Sequence, residues 1–340
     1  HCRYPIPQNS EKRPGGRHDI VSRIALNYFS SIVEKKSGRT DKMRSKDFGV
    51  ISGLSKKYSK ETSLELFRRM CAIRYFEQEV IESVQAKYID YLVYLSSGQE
   101  AIAAAMSVAL QGFMIFAQHR CHGTYLAFGG NPAKLRDELL GMDTGTSRGR
   151  AGSNCVQCHE NEVTMFGHHG LIGENVPLGV GAALGSNKPV VCFFGDGAAE
   201  EDYVFAAMGF AVTHRLPVIF VCEDNNLSIL TKVDVRRSWS ITQVARSLGM
   251  PAVDIADDPW TILETAEQFK NTLPAFINIY TCRANWHVGV GVDGPPEWDR
   301  LSIVREELKK KGLSSQSEKI EKDIIAEMEK LWDKKHLQKL

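Results

Sequence analysis

The chain has 340 residues, 43% hydrophobic and 24% charged, enough for one large domain or two modest ones with a substantial core. Its 42 Lys and Arg against 41 Asp and Glu give a net charge of +1, so no global field favours nucleic acid or an anionic membrane. The longest apolar runs, roughly six to eight residues, fall far short of a membrane span.

Residues 1–60 are polar and basic, broken at Arg13-Pro14-Gly15-Gly16, with little periodicity before Ile20–Ile32. They read as an N-terminal arm. The chain opens on His rather than Met, which leaves processing or a fragment open. Thr62-Ser63-Leu64-Glu65 reads as a capping box, and the helix it opens carries Leu66, Met70, Ile73, Val80 and Val84 on one stripe. Gly98 to Leu110 is alanine-rich and predicts a buried helix. Cys155-Val156-Gln157-Cys158-His159 matches the haem-attachment pattern and half of a zinc site. Without a second CxxC pair, coincidence is the expectation. Gly179, Gly181 and Gly185 punctuate a small-residue helix and allow close backbone approach.

Pro189-Val190-Val191-Cys192-Phe193-Phe194 predicts a fully buried strand running into the turn Gly195-Asp196-Gly197. Leu216 to Cys222 predicts a second, ending in Glu223-Asp224-Asn225-Asn226. The helix-length run Glu201 to His214 between them makes the two strands parallel neighbours joined by a right-handed crossover. Phe276 to Thr281 is a third strand candidate. Lys309-Lys310-Lys311 and Lys334-Lys335 read as solvated helix faces. Ser317 to Leu340 is amphipathic through Ile320, Ile324, Met328 and Leu331. Strands alternating with helices predict an α/β fold, a mostly parallel sheet with helices on both faces. The expected divisions are the arm over 1–60, the α/β domain over 61–300 and a C-terminal helical segment over 301–340. Eight scattered cysteines, two of them inside the core strands, suit a reducing compartment: cytoplasm or an organelle matrix.

Asp196 and Asn225 then project from one carboxyl edge of the sheet, where open α/β folds bind ligands. A dinucleotide fingerprint fails, because Gly195-Asp196-Gly197-Ala198-Ala199-Glu200 lacks the third glycine and places a carboxylate where bare pyrophosphate is repelled. A divalent cation between carboxylate and phosphate resolves that repulsion. The plain alternative is an Asp in a strand-end turn with no ligand.

Gly195-Asp196-Gly197, followed 29 positions after Asp196 by Asn225, resembles the thiamine diphosphate motif. Arg74-Tyr75-Phe76-Glu77, Ser97-Gly98-Gln99-Glu100-Ala101, His119-Arg120-Cys121-His122-Gly123, Arg148-Gly149-Arg150-Ala151-Gly152-Ser153, Gly170-Leu171-Ile172-Gly173 and Val176-Pro177-Leu178-Gly179 follow in order. Together they resemble the alpha subunit of the first component of 2-oxo acid dehydrogenase complexes, of pyruvate, branched-chain or acetoin type. The resemblance implies a thiamine diphosphate-binding fold. It implies Mg2+ held by Asp196, Asn225 and the main-chain carbonyl of Leu227. Diphosphate falls to Arg120 and His287 with the amides of Gly197 and Ala198, and the aminopyrimidine to Gly170 and Ile172. The activating glutamate comes from a beta subunit in an α2β2 assembly, and the acyl group passes to a lipoyl-bearing acyltransferase. Decarboxylation of a 2-oxo acid is the implied reaction.

Departures cluster where substrate is read. Tyr94 stands where such dehydrogenases usually have histidine, and His168 and His169 replace the usual Gly or Ala and Asn. Cys282-Arg283-Ala284-Asn285-Trp286-His287-Val288 lacks the serine phosphorylated in some relatives. Tyr94, His168 and His169 are therefore candidate catalytic residues. The imidazoles suit a polyhydroxylated or phosphorylated substrate, proton transfer, or a purely structural loop role. They keep two alternatives open: a split transketolase-like enzyme moving a ketol unit between sugars, and a non-catalytic paralogue.

Overall fold

The computed structural model describes residues 51–160, 163–294 and 296–333. Most of the expected arm, and Lys334-Lys335, lie outside these residues.

Helix α1 spans Lys60–Gln85 and α2 Glu100–Ala109; strand β1 (Met114–Phe116) precedes α3 (His122–Ala127) and α4 (Pro132–Leu139). A hairpin of β2 (Cys158–Glu160) and β3 (Val163–Phe166) leads to α5 (Asn175–Ser186), β4 (Val190–Gly195), α6 (Asp202–Thr213) and β5 (Val218–Asp224). After the small ribbon β6 (Leu227–Ser228) and β7 (Thr231–Lys232) come α7 (Val233–Arg236), α8 (Ile241–Ser247), β8 (Ala252–Ala256), α9 (Pro259–Phe269) and β9 (Ala275–Tyr280). Helices α10 (Arg300–Lys310) and α11 (Ser314–Leu331) complete the described chain.

Seven strands form one sheet in the order β2-β3-β1-β4-β5-β9-β8. Every neighbouring pair is parallel except the β2–β3 hairpin. Strand β4 pairs β5 in register from Val190↔Val218 to Gly195↔Glu223, as the two apolar runs predict. Their continuous hydrophobicity follows from burial on both faces. Val190, Cys192 and Phe194 pack with Val176, Val180 and Met208 on one side. Val191 and Phe193 join Leu66, Phe67, Trp260 and Trp332 on the other. Helix α5 lies so close to β4 that a Cβ on Gly179 would fall 2.4 Å from Cys192 Sγ. Gly181 and Gly185 face open space in this chain, so only Gly179 serves the expected close approach.

Two local readings change. Helix α1 is capped by Ser59, whose hydroxyl accepts the Thr62 N–H at 3.1 Å, so the helix starts before the expected box. Thr62 and Ser63 are thereby inside the first turn, and the Ser63 hydroxyl turns inward to accept from Trp260 Nε1. Lys311 is no solvated charge. Its ammonium donates to Ser63 Oγ at 3.0 Å and to the Ser55 carbonyl, and lies 5.8 Å from the Trp260 ring centre. No helix among the described residues is long and apolar enough to cross a membrane.

Candidate functional site

Strand β1 is flanked by β3 on one side and β4 on the other, so the chain reverses its direction of travel across the sheet between β1 and β4. Ligands bind open α/β sheets at the carboxyl side of such a switch point. A cleft open to solvent lies there. Gln118, His119 and Arg120 line it from the end of β1, and His168 from the end of β3. Gly195 to Ala198 enter from β4, Asn225 and Leu227 from β5, and His287 from the loop after β9.

Asp196 is 1% exposed. Burial first, then the neighbouring Asp224, raises its pKa above the usual carboxylate range, against the pull of Arg236 and Arg237. Among the described residues its carboxylate has one bonded partner, the guanidinium of Arg236. That guanidinium also holds Glu200 at 2.8 Å, while Arg237 donates to the Asp196 carbonyl at 2.8 Å. Asn225 donates to Gln99 Oε1 at 3.0 Å, and its own amide oxygen accepts the Leu227 N–H at 3.1 Å. A Cβ on Gly197 would meet Ser228 Oγ at 2.7 Å, so glycine lets the strand-end turns close on each other.

Arg120, 4% exposed, donates to the carbonyls of Leu95 and His287, each at 2.9 Å. No carboxylate among the described residues lies within ion-pair distance of it. Nearby Glu223 does not supply the missing charge: burial pushes its pKa up to about 8 against the pull of Arg120. Burial, with Arg283 as the next cause, lowers the Arg120 pKa to about 10. The guanidinium's further contact is with His287 Nδ1 at 3.4 Å, and a buried cation with only carbonyl and imidazole partners invites an anion. Burial, then Arg120, lowers the pKa of His287 to about 4 and leaves that ring neutral. The site thus presents a buried carboxylate that attracts a cation and a buried guanidinium lacking an anion. Magnesium and diphosphate fit that pair of needs.

Of the other expected site residues, Ile172 lines the cleft. Gly170 is exposed at φ +131°, beyond the lining. Tyr94 packs edge-on against His119 and His287, with ring centres 5.2 and 5.8 Å apart. His168 is buried in the wall, whereas His169 is exposed and turned toward Glu174, with Nδ1 3.8 Å from Oε1. Of the two imidazoles expected beside the cofactor, His168 is in the cleft lining and His169 is outside it. Successive residues point in different directions, and only one reaches the cleft. His119, Arg236 and Arg237 escaped sequence reasoning. Adjacency to Arg120 could have flagged His119; the two arginines carried no local signal.

Outside the lining, buried polar groups around Ser96 complete each other. Glu77 accepts the Ser96 N–H at 2.6 Å and faces His122 Nδ1 at 3.1 Å. His122 Nε2 lies 3.0 Å from Ser153 Oγ, which itself accepts the Tyr94 N–H at 2.8 Å.

The family profile described as Dehydrogenase E1 component matches residues 68–335. The chain is 32% identical over 217 residues to the pyruvate dehydrogenase E1 component subunit alpha of Rhizobium meliloti, covering 62% of this chain and 61% of that protein. It is 32% identical over 213 residues to the subunit so described from Zymomonas mobilis, covering 60% and 59%. With the mitochondrial alpha-1 subunit of Oryza sativa it shares 34% over 174 residues, covering 49% and 44%. The matched stretch thus spans about three fifths, or less, of these relatives' length.

Proposed function

The chain belongs to the dehydrogenase E1 component family, and on that premise we propose that it is the alpha subunit of a thiamine diphosphate enzyme that decarboxylates a 2-oxo acid and passes the acyl group to a lipoyl carrier. One observation carries this reading: buried Asp196 and a buried Arg120 without a carboxylate partner share one cleft at the switch point of the sheet. Thiamine diphosphate supplies, when bound, a carbanion that adds to a carbonyl and a ring that accepts the electrons left by the departing group. Asp196, Asn225 and the Leu227 carbonyl would hold Mg2+, with Arg236 yielding its place on Asp196. Arg120 and neutral His287 would hold the diphosphate with the Gly197 and Ala198 amides. The main chain at Gly170 and Ile172 would hold the aminopyrimidine.

A beta subunit, expected in an α2β2 assembly, would supply the activating glutamate and cover the rim. Apolar side chains left exposed there support this, among them Ile229, Leu230, Trp286 and Val292. Buried free cysteines such as Cys121, Cys192 and Cys222 support a reducing compartment. The test is co-expression with a beta-type chain, followed by CO₂ release from 2-oxo acids and acylation of a lipoyl domain. Both should require both chains. Ketol transfer to an aldose acceptor without a lipoyl domain would favour the transketolase-like reading, which the polar His119–His168 wall keeps in view. Failure of the paired chains to retain thiamine diphosphate would contradict both.

A further inference from the structure

His168 leaves the end of β3 only 4% exposed, and its ring is part of the cleft wall. Nδ1 accepts the Gly170 N–H at 2.9 Å. Burial is the main cause that lowers its pKa, so the ring is neutral, and with Nδ1 accepting, the hydrogen sits on Nε2. That Nε2 has no hydrogen-bond partner among the described residues. The His119 ring centre lies 5.9 Å away, and its Nε2 is unpartnered as well. Native chains seldom leave a buried donor unmade, so an acceptor belongs in this part of the cleft.

The chemistry of that acceptor can be narrowed. An N–H cannot ligate a metal ion. The diphosphate already has Arg120 and His287, and the aminopyrimidine has main-chain groups. Substrate remains. Keto and carboxylate oxygens are common to every 2-oxo acid and cannot tell one from another; the acyl chain differs, and a plain alkyl chain offers the Nε2–H no acceptor there, whereas an oxygen on that chain does. We propose that His168 is a specificity-determining residue whose Nε2–H donates to a hydroxyl oxygen on the substrate's acyl chain, so that the preferred 2-oxo acid is hydroxylated next to its carbonyl. This rests on the thiamine diphosphate reading above and deepens it.

The experiment uses the assembled alpha and beta chains with thiamine diphosphate and Mg2+, comparing 3-hydroxypyruvate with pyruvate. One buried hydrogen bond predicts about a tenfold to hundredfold preference in kcat/KM for the hydroxylated acid. His168→Ala should erase that ratio and His168→Gln, which keeps a donor, should restore part of it. A second readout is independent of turnover. Calorimetry with acylphosphonate analogues, which cannot lose CO₂, should show the same preference for the hydroxylated one and its loss in His168→Ala. A wild-type complex without preference, or a preference unchanged in His168→Ala, overturns the proposal and assigns the donor to a buried water. A complex that retains no thiamine diphosphate overturns the underlying function as well, and direct cofactor titration separates the two failures.

Discussion

Two buried carboxylates are treated differently by the chain. Glu138, at the end of α4, accepts the N–H groups of Ser147 and Ala151 at 2.6 Å each and of Gly149 at 3.1 Å. Its charge is spent within the protein, ordering the Arg148–Ser153 loop. Among the described residues, Asp196 has only the Arg236 guanidinium as bonded side-chain partner, beside like-charged Asp224. The histidines repeat the contrast: among the described residues His122 has a partner on each nitrogen, His168 on one. Polar groups completed by the chain are scaffold; those left incomplete in the same cleft face a ligand.

The largest effect should come from breaking the scaffold side. Glu138→Ala strands three half-buried N–H groups and should cost about 2 kcal/mol, read as a fall in urea midpoint. An unchanged midpoint would erase the distinction. Arg120→Met should behave in the opposite way. Removing a buried charge bonded only to uncharged groups should leave thermal stability intact or raise it. Affinity for thiamine diphosphate should fall about a hundredfold, measured by calorimetry on the paired chains. Loss of stability with cofactor affinity retained would place Arg120 in the scaffold.

The imidazoles sharpen the comparison through pH. His119, His168 and His287 all have folded pKa values below the ordinary histidine value, burial being the largest cause in each. Each binds a proton more weakly folded than unfolded. Their contribution to stability is therefore complete above about pH 6.5 and is lost as pH falls toward the folded values, about 4 for His287. Denaturation of a His119→Gln, His287→Gln double variant should show a flatter decline through that window; an identical decline would contradict the assignment. The smallest effect belongs to His169, exposed and outside the cleft lining, where alanine should change stability by less than about 0.5 kcal/mol and leave cofactor affinity alone.

Much of this was readable from the chain itself. The β4 and β5 runs are apolar on both faces because parallel strands are covered on both, and their ends carry the acidic turn and the asparagine in fixed register. Sequence spacing could not show which of His168 and His169 turns inward, because loop side chains follow no period. It could not show that Lys311 reaches Ser63, or that Arg236 reaches Asp196 across 40 positions. The Glu138 cradle is likewise a long-range geometry, with no local pattern to announce it.

The central claim is a cation-bridged diphosphate at the tips of β4 and β5. Thiamine diphosphate titrated into the alpha–beta complex, with and without Mg2+, tests it most directly in wild type and Asp196→Ala. Binding should require Mg2+ in the wild type and vanish in the variant while its thermal unfolding is unchanged. Wild-type affinity in Asp196→Ala would contradict it.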